Sequence, residues 1–184
     1  MTKRPEIHHH VMGDHWTDDL SELTELGRLI TLAKDRDNAE ACEIIGRLIG
    51  EFVVGRHRLA RHPSKSANAT VVASVPPNPT ILNHLPGRLA ESVAEALGQR
   101  LDPELITRSN HTVRLRDTDP SERRNVAEHA GYNVTRPLDG ASVVLVDDVI
   151  MTGTTVEYIT ELLLAAGAGS VDVVVASRTV RRPS

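Results

Sequence analysis

From Thr17 to about His62, apolar residues recur every three or four positions: Leu20, Leu23, Leu26 and Ile30 form one series, and Ile45, Leu48, Ile49 and Phe52 another. That spacing lines one face of a helix, and the break near Asp35–Asn38 predicts two helices. After the polar linker PSKSANA (63–69) the pattern changes to short apolar runs separated by turn residues. Thr70–Val75 is β-branched and apolar, a predicted strand that stops at PPNP (76–79). Leu85–Leu97 reads as a helix closed by Gly98, and Leu105–Arg108 as a second strand. Residues 109–139 are polar and weakly patterned, with a short helix around Ser121–Ala130. Asp139-Gly140 then turns the chain into Ala141–Asp147, the strongest strand pattern present. Thr154–Ala166, ended by Gly167, is the next helix and Val171–Ala176 the next strand. A strand–helix–strand unit of this kind implies a parallel sheet with right-handed crossovers. Residues 1–16 are expected to be a flexible arm, 17–66 an N-terminal helical region, and 67–184 an α/β core.

Composition narrows the function classes. The chain has 184 residues, 40% of them apolar, and a formal net charge of -4, which fits a globular domain and suggests no general nucleic-acid surface. Trp16, Phe52, Tyr132 and Tyr158 are the whole aromatic complement, too few for a base-stacking platform. A single cysteine, Cys42, rules out internal disulfides and cysteine-rich zinc sites. No apolar run approaches the roughly 20 residues of a spanning helix, and no apolar signal core opens the chain, so a cytoplasmic location is expected. His8, His9 and His10 have no carboxylate or cysteine cluster beside them and read as part of the polar arm.

The chemistry concentrates in VVLVDDVIMTGTTV, Val143–Val156. Adjacent carboxylates at Asp147 and Asp148 repel each other and are costly to bury unpaired. A nucleotide triphosphatase carries such acids after a strand but also needs a G-x-x-x-x-G-K-[ST] loop, which is missing here. A phospho-acceptor receiver places its acid pair near the start of the domain, whereas here it lies close to the end. A capping box between Thr154 and Glu157 is expected, yet it leaves the acids unexplained. In a parallel sheet, ligands bind beyond the carboxyl ends of the strands. Carboxylates there accept hydrogen bonds from neighbouring sugar hydroxyls. Met151, Thr152, Gly153, Thr154 and Thr155 then lead into a helix N-terminus whose amides and dipole suit a phosphate. Gly153 lets the backbone approach the anion closely. Together these features describe a ribose 5-phosphate site.

The same segment resembles the phosphoribosyl pyrophosphate (PRPP) motif of type I phosphoribosyltransferases: an apolar strand, Asp-Asp, two apolar residues and a T-G-T-T loop. Over roughly 70–180, LAESVAEALG, RSNHTVRLRDTDPSERRNV, the acid motif and VDVVVASRT follow one another as in the ComF-like branch. Two features depart from that branch. Its zinc-binding cysteines are missing, and Ile81–Arg88 replaces an expected Arg-Gly-Phe-Asn-Gln stretch.

The resemblance implies a type I phosphoribosyltransferase fold: a central, mainly parallel sheet flanked by helices, with the N-terminal helices as a hood over the acceptor. It implies transfer of phosphoribose from PRPP to a nitrogenous acceptor with release of pyrophosphate. Asp147 and Asp148 would be catalytic and ribose-binding, with Mg2+ held through substrate oxygens, water and these same acids. The loop after the first core strand would receive pyrophosphate, here Val75, Pro76, Pro77 and Asn78, helped by Arg88 and by Arg114, Arg116, Arg123 and Arg124 from a loop that closes over the substrate. A homodimer is common among similar proteins. The alternative is a non-catalytic PRPP- or nucleotide-sensing regulator, or a component of a DNA-uptake or stress system.

Overall fold

The computed structural model describes residues 6–35, 37–56, 70–77, 84–109 and 127–179. In chain order the elements begin with β1 (Glu6–Asp14), α1 (Glu25–Asp35), α2 (Ala39–Val54), β2 (Thr70–Ser74) and α3 (Leu85–Leu97). There follow β3 (Arg100–Leu101), β4 (Ile106–Arg108), β5 (Tyr132–Val134), β6 (Ser142–Ile150), α4 (Thr154–Ala165) and β7 (Ser170–Arg178). Five strands form one parallel sheet in the order β1-β7-β6-β2-β3, while β4 and β5 make a separate antiparallel pair. The expected α/β architecture is therefore present.

Sheet pleating sends alternate residues to opposite faces, and each face has its own core. Val72, Val144, Val146, Val174 and Ala176 pack with Ile30, Ile45, Ile49 and Val53 of α1 and α2 and with Leu89 and Val93 of α3. On the other face Val71, Val143, Leu145, Val173 and Val175 pack with Val156, Ile159 and Leu163 of α4. Burial on both faces explains why Val143–Val146 of β6 and Val173–Ala176 of β7 read as continuous apolar runs. The N-terminal helices share a core with the sheet, so no packing boundary separates them from it.

Three local expectations need correction. The expected arm contains an edge strand: β1 pairs with β7 from Glu6↔Ser170 to Asp14↔Arg178. Its histidines disguised it, but His10 faces the sheet's own acid, with Nε2 3.0 Å from Oδ1 of Asp172, which is 2% exposed. Replacing His10 by Ala should leave that carboxylate without this partner and cost about 1–3 kcal/mol in urea unfolding. Helix α1 starts at Glu25 rather than Thr17, because Asp19 Oδ1 accepts from the Thr17 hydroxyl at 2.6 Å and from the Ser21 amide at 3.0 Å, closing a turn instead. The strand expected at Leu105–Arg108 is β4, which lies outside the main sheet, and the two-residue β3 takes the sheet edge beside β2.

The break between α1 and α2 falls where expected. The Asn38 side chain caps α2 by accepting from the Ala41 amide at 2.8 Å. At the start of α1, Thr24 Oγ1 accepts from the Gly27 amide at 2.9 Å and donates to the Asp14 carbonyl at 2.7 Å, fastening the helix to the end of β1. A side chain at Gly27 would place its Cβ 2.1 Å from the His15 carbonyl oxygen, so only glycine allows this approach. That fastening points the C-terminal turn of α1 at the end of β6.

Candidate functional site

Strand β6 runs further than the apolar pattern suggested, and its last residues carry the acids. On one side β2 stops pairing at Ser74↔Val146, while on the other β7 continues to Ile150↔Arg178. Asp147 and Asp148 therefore sit within β6 but beyond the end of its β2 neighbour, with one side open. Alternation sends them to opposite faces of the sheet.

Asp148 is 4% exposed and points towards α1. Its Oδ1 accepts from the Val149 amide at 2.7 Å. Its Oδ2 has the Lys34 ammonium 2.6 Å away, an ionic contact whose angles fall outside hydrogen-bond geometry, so this buried oxygen has no aligned donor among the described residues. Asp147 is half-buried and reaches the adjoining pocket. Desolvation, and then the neighbouring Asp148 charge, push its carboxyl well above the ordinary carboxylate range, with Lys34 and the Asp148 amide pulling the other way. Sequence analysis did not single out Lys34, which lies more than a hundred residues from the acids.

The pocket encloses about 370 Å³. Its floor is Asp147 and the turn Met151–Thr155, and its opposite wall is Ile30, Thr31 and Lys34 of α1. Gly153 adopts φ 82° and is the N-cap of α4, with no side chain capping the first turn. The expected capping box is thus not formed: Thr154 is already the first helical residue, and its hydroxyl lies 3.1 Å from that of Thr152. This leaves the positive end of α4 directed into the pocket, the arrangement that suits an anion. An Ala at Gly153 should cost roughly 1 kcal/mol of stability in a thermal melt, because φ there is left-handed.

A second cavity of about 400 Å³ lies beside the end of β2, lined by Ser74, Pro76, Pro77, His84, Arg88 and Glu91 among others. Of the residues expected to receive pyrophosphate, Pro76, Pro77 and Arg88 line this cavity and Val75 does not. The Val75 amide is spent on the Val146 carbonyl at 2.9 Å and its side chain is buried, so it offers no free donor. Arg88 does reach this cavity, held with Nη1 3.0 Å from Cys42 Sγ and 3.6 Å from Asp37 Oδ1. Asn78, Arg114, Arg116, Arg123 and Arg124 lie outside the described residues.

His84, also not singled out from sequence, lines the second cavity within electrostatic reach of Asp148 and Lys34. Its Nε2 donates to the Val75 carbonyl at 2.9 Å, and burial lowers its pKa, with Asp148 opposing that effect and Lys34 adding to it. On the other face of the sheet, Arg108 lies 5.6 Å over the Tyr132 ring, and the charge on Asp147 acts on that phenol.

The acids fit a hard divalent cation by chemistry: carboxylate oxygens, one of them buried and lacking an aligned donor. No group of three or more His, Cys, Asp or Glu among the described residues is placed to hold a metal alone. A cation here would therefore depend on substrate oxygens and water as well.

Residues 74–183, more than half of the chain, match the family model described as "Phosphoribosyl transferase domain". The chain belongs to this family. Among curated relatives, "DNA utilization protein YhgH" of Salmonella typhi is 35% identical over 92 residues, covering 50% of this chain and 40% of the relative. The protein of the same name from Escherichia coli K12 is 33% identical over the same length and with the same coverage. The match thus spans well under two thirds of these relatives. Among solved structures, a hypoxanthine phosphoribosyltransferase from Staphylococcus aureus is 13% identical with a TM-score of 0.46, covering 80% of this chain and 77% of that one. Adenine phosphoribosyltransferase from Leishmania tarentolae is 16% identical with a TM-score of 0.43, covering 80% and 74%.

The phosphoribosyltransferase model begins at the last residue of β2 and takes in both acids and the Met151–Thr155 turn. Helix α1, which supplies Lys34, lies wholly outside it. Among the described residues no helix is long and apolar enough to cross a membrane.

Proposed function

We propose that this phosphoribosyltransferase domain binds PRPP and transfers its phosphoribosyl group to a nitrogenous acceptor, releasing pyrophosphate. One observation carries the reading: desolvated Asp147, next to buried Asp148 on β6, is followed closely by a glycine-started helix with an uncapped first turn, and Asp147 and that turn line one pocket. In this reading the ribose 2- and 3-hydroxyls donate to Asp147 and Asp148, and the 5-phosphate accepts from the amides and hydroxyls of the Met151–Thr155 turn. As the bond from the anomeric carbon to pyrophosphate lengthens, positive charge develops on the ring. Carboxylates beneath it stabilise that state more than the ground state.

Magnesium, when bound with PRPP, supplies neutralisation of the pyrophosphate and ribose oxygens. Arg88 would meet the departing pyrophosphate in the second cavity, next to Ser74, Pro76 and Pro77, while Val75 shapes the turn without donating to it. Helix α1 forms one wall of the ribose pocket, so the N-terminal region acts as a hood on the sugar side.

The name of the curated relatives, DNA utilization protein, favours a second reading, in which a DNA-utilization role keeps the site for binding without turnover. Incubation with labelled PRPP, Mg2+ and a panel of nitrogenous bases separates the two. Acceptor-dependent pyrophosphate release is the expected result. Tight PRPP binding with no release for any base would favour the second reading, and no binding at all would overturn both.

A further inference from the structure

The ammonium of Lys34 occupies the place beside Asp148 that a site built only to receive a divalent cation would leave open. Its distance to Asp148 Oδ2 is 2.6 Å, and the carboxylate is almost fully buried while the lysine is 39% exposed. Among the described residues, Asp148 also interacts electrostatically with Asp147, from the same strand, and with His84, from the start of α3. Among the described residues Lys34 is the cation in contact with Asp148, and it arrives on a helix outside the matched domain.

Resting on the ribose-phosphate reading of this pocket, we propose that Lys34 is a built-in counter-ion that holds Asp148 in the ligand-free protein and competes with a divalent cation for it. The ion pair keeps the acids compatible with burial before any ligand arrives. Because the lysine stem is long and its head half-exposed, it can swing away when a divalent cation and a sugar phosphate together offer more positive charge and more hydrogen bonds. Metal alone must displace the ammonium and so binds weakly. Lys34 is a positioning residue in this scheme and touches the ligand only through what it yields.

The expected result is read with Mn2+ alone, titrated into the full chain and followed by electron paramagnetic resonance. Lys34→Met should bind Mn2+ roughly tenfold more tightly than the unaltered protein, because one competing positive charge a few ångströms from the metal position is gone. Lys34→Arg should stay close to the unaltered protein. Lys34→Met should also melt at a lower temperature than the unaltered protein without metal and recover most of that loss when Mg2+ is added. Equal Mn2+ affinity for all three proteins, or an equal gain in the Met and Arg variants, would overturn the proposal.

A measurement on the unaltered protein guards against a variant that fails to fold: the Lys34 13Cε resonance should move on saturation with Mg2+ and ribose 5-phosphate. An unmoved resonance in a protein that binds both would equally overturn it. Ribose 5-phosphate titrated without metal tests the pocket separately. Failure there removes the ribose-phosphate reading, whereas failure of the Mn2+ comparison removes only the role of Lys34.

Discussion

Asp147→Asn combined with Asp148→Asn should abolish PRPP binding, lowering affinity by at least about a hundredfold in calorimetry, since two charge-assisted hydrogen bonds of roughly 1.5–3 kcal/mol each are lost. The far-ultraviolet circular dichroism should be unchanged, because neither side chain contributes to the apolar clusters on the two sheet faces. The single variants should differ in their effect on stability. Asp147→Asn removes a charge that burial and its neighbour disfavour, so the ligand-free protein should gain stability while losing function. Asp148→Asn takes away the charge paired with Lys34 and should be neutral or destabilising.

The pH dependence follows with a definite sign. A carboxyl whose pKa is raised on folding contributes stability that is fully present below its unfolded value and is lost as pH rises through the folded one. For Asp147 the melting temperature of the ligand-free protein should therefore fall as pH climbs above the ordinary carboxylate range towards its raised value. Asp147→Asn should flatten that decline.

The second large effect concerns the phosphate turn. Gly153→Val should reduce affinity for ribose 5-phosphate by about tenfold or more. A β-branched residue at φ 82° forces the turn to move, and its methyl groups would crowd the backbone that an anion approaches. A control is available in the same fold. Gly98 has φ 61° at the C-terminus of α3, and a Cβ there would meet nothing within 4 Å. Gly98→Val should lower stability through backbone strain of the same kind and leave ribose 5-phosphate affinity unchanged. Equal loss of affinity in both variants would mean that the effect of Gly153 is only global destabilisation.

Much of this site was legible in the sequence because its central piece is local. VVLVDDVIMTGTT carries strand, acids, turn and helix start in consecutive residues, and β6, Gly153 and α4 appear where that order puts them. What escaped is what only folding brings together. Lys34 and His84 approach the acids from other elements, and their neighbours in sequence give no sign of it. Strand β1 was hidden by its histidines, whose polarity masked a strand that pairs only along β7 at the sheet edge and packs Val11 and Met12 against the two cores. The two residues of β3 are too few to leave a periodic signal. Val75 was expected in the loop that receives pyrophosphate, but the ladder to β6 extends one residue past the strand and takes its amide. The capping box failed for a related reason: Gly153, not Thr154, occupies the cap, which frees the first turn of α4 for a ligand.

A crystal of the protein soaked with PRPP and Mg2+ tests the central claim most directly. The account predicts the 5-phosphate against the amides of Thr152–Thr155 and the two ribose hydroxyls within hydrogen-bonding distance of Asp147 and Asp148. PRPP bound at another surface, with this pocket filled only by solvent, would contradict it.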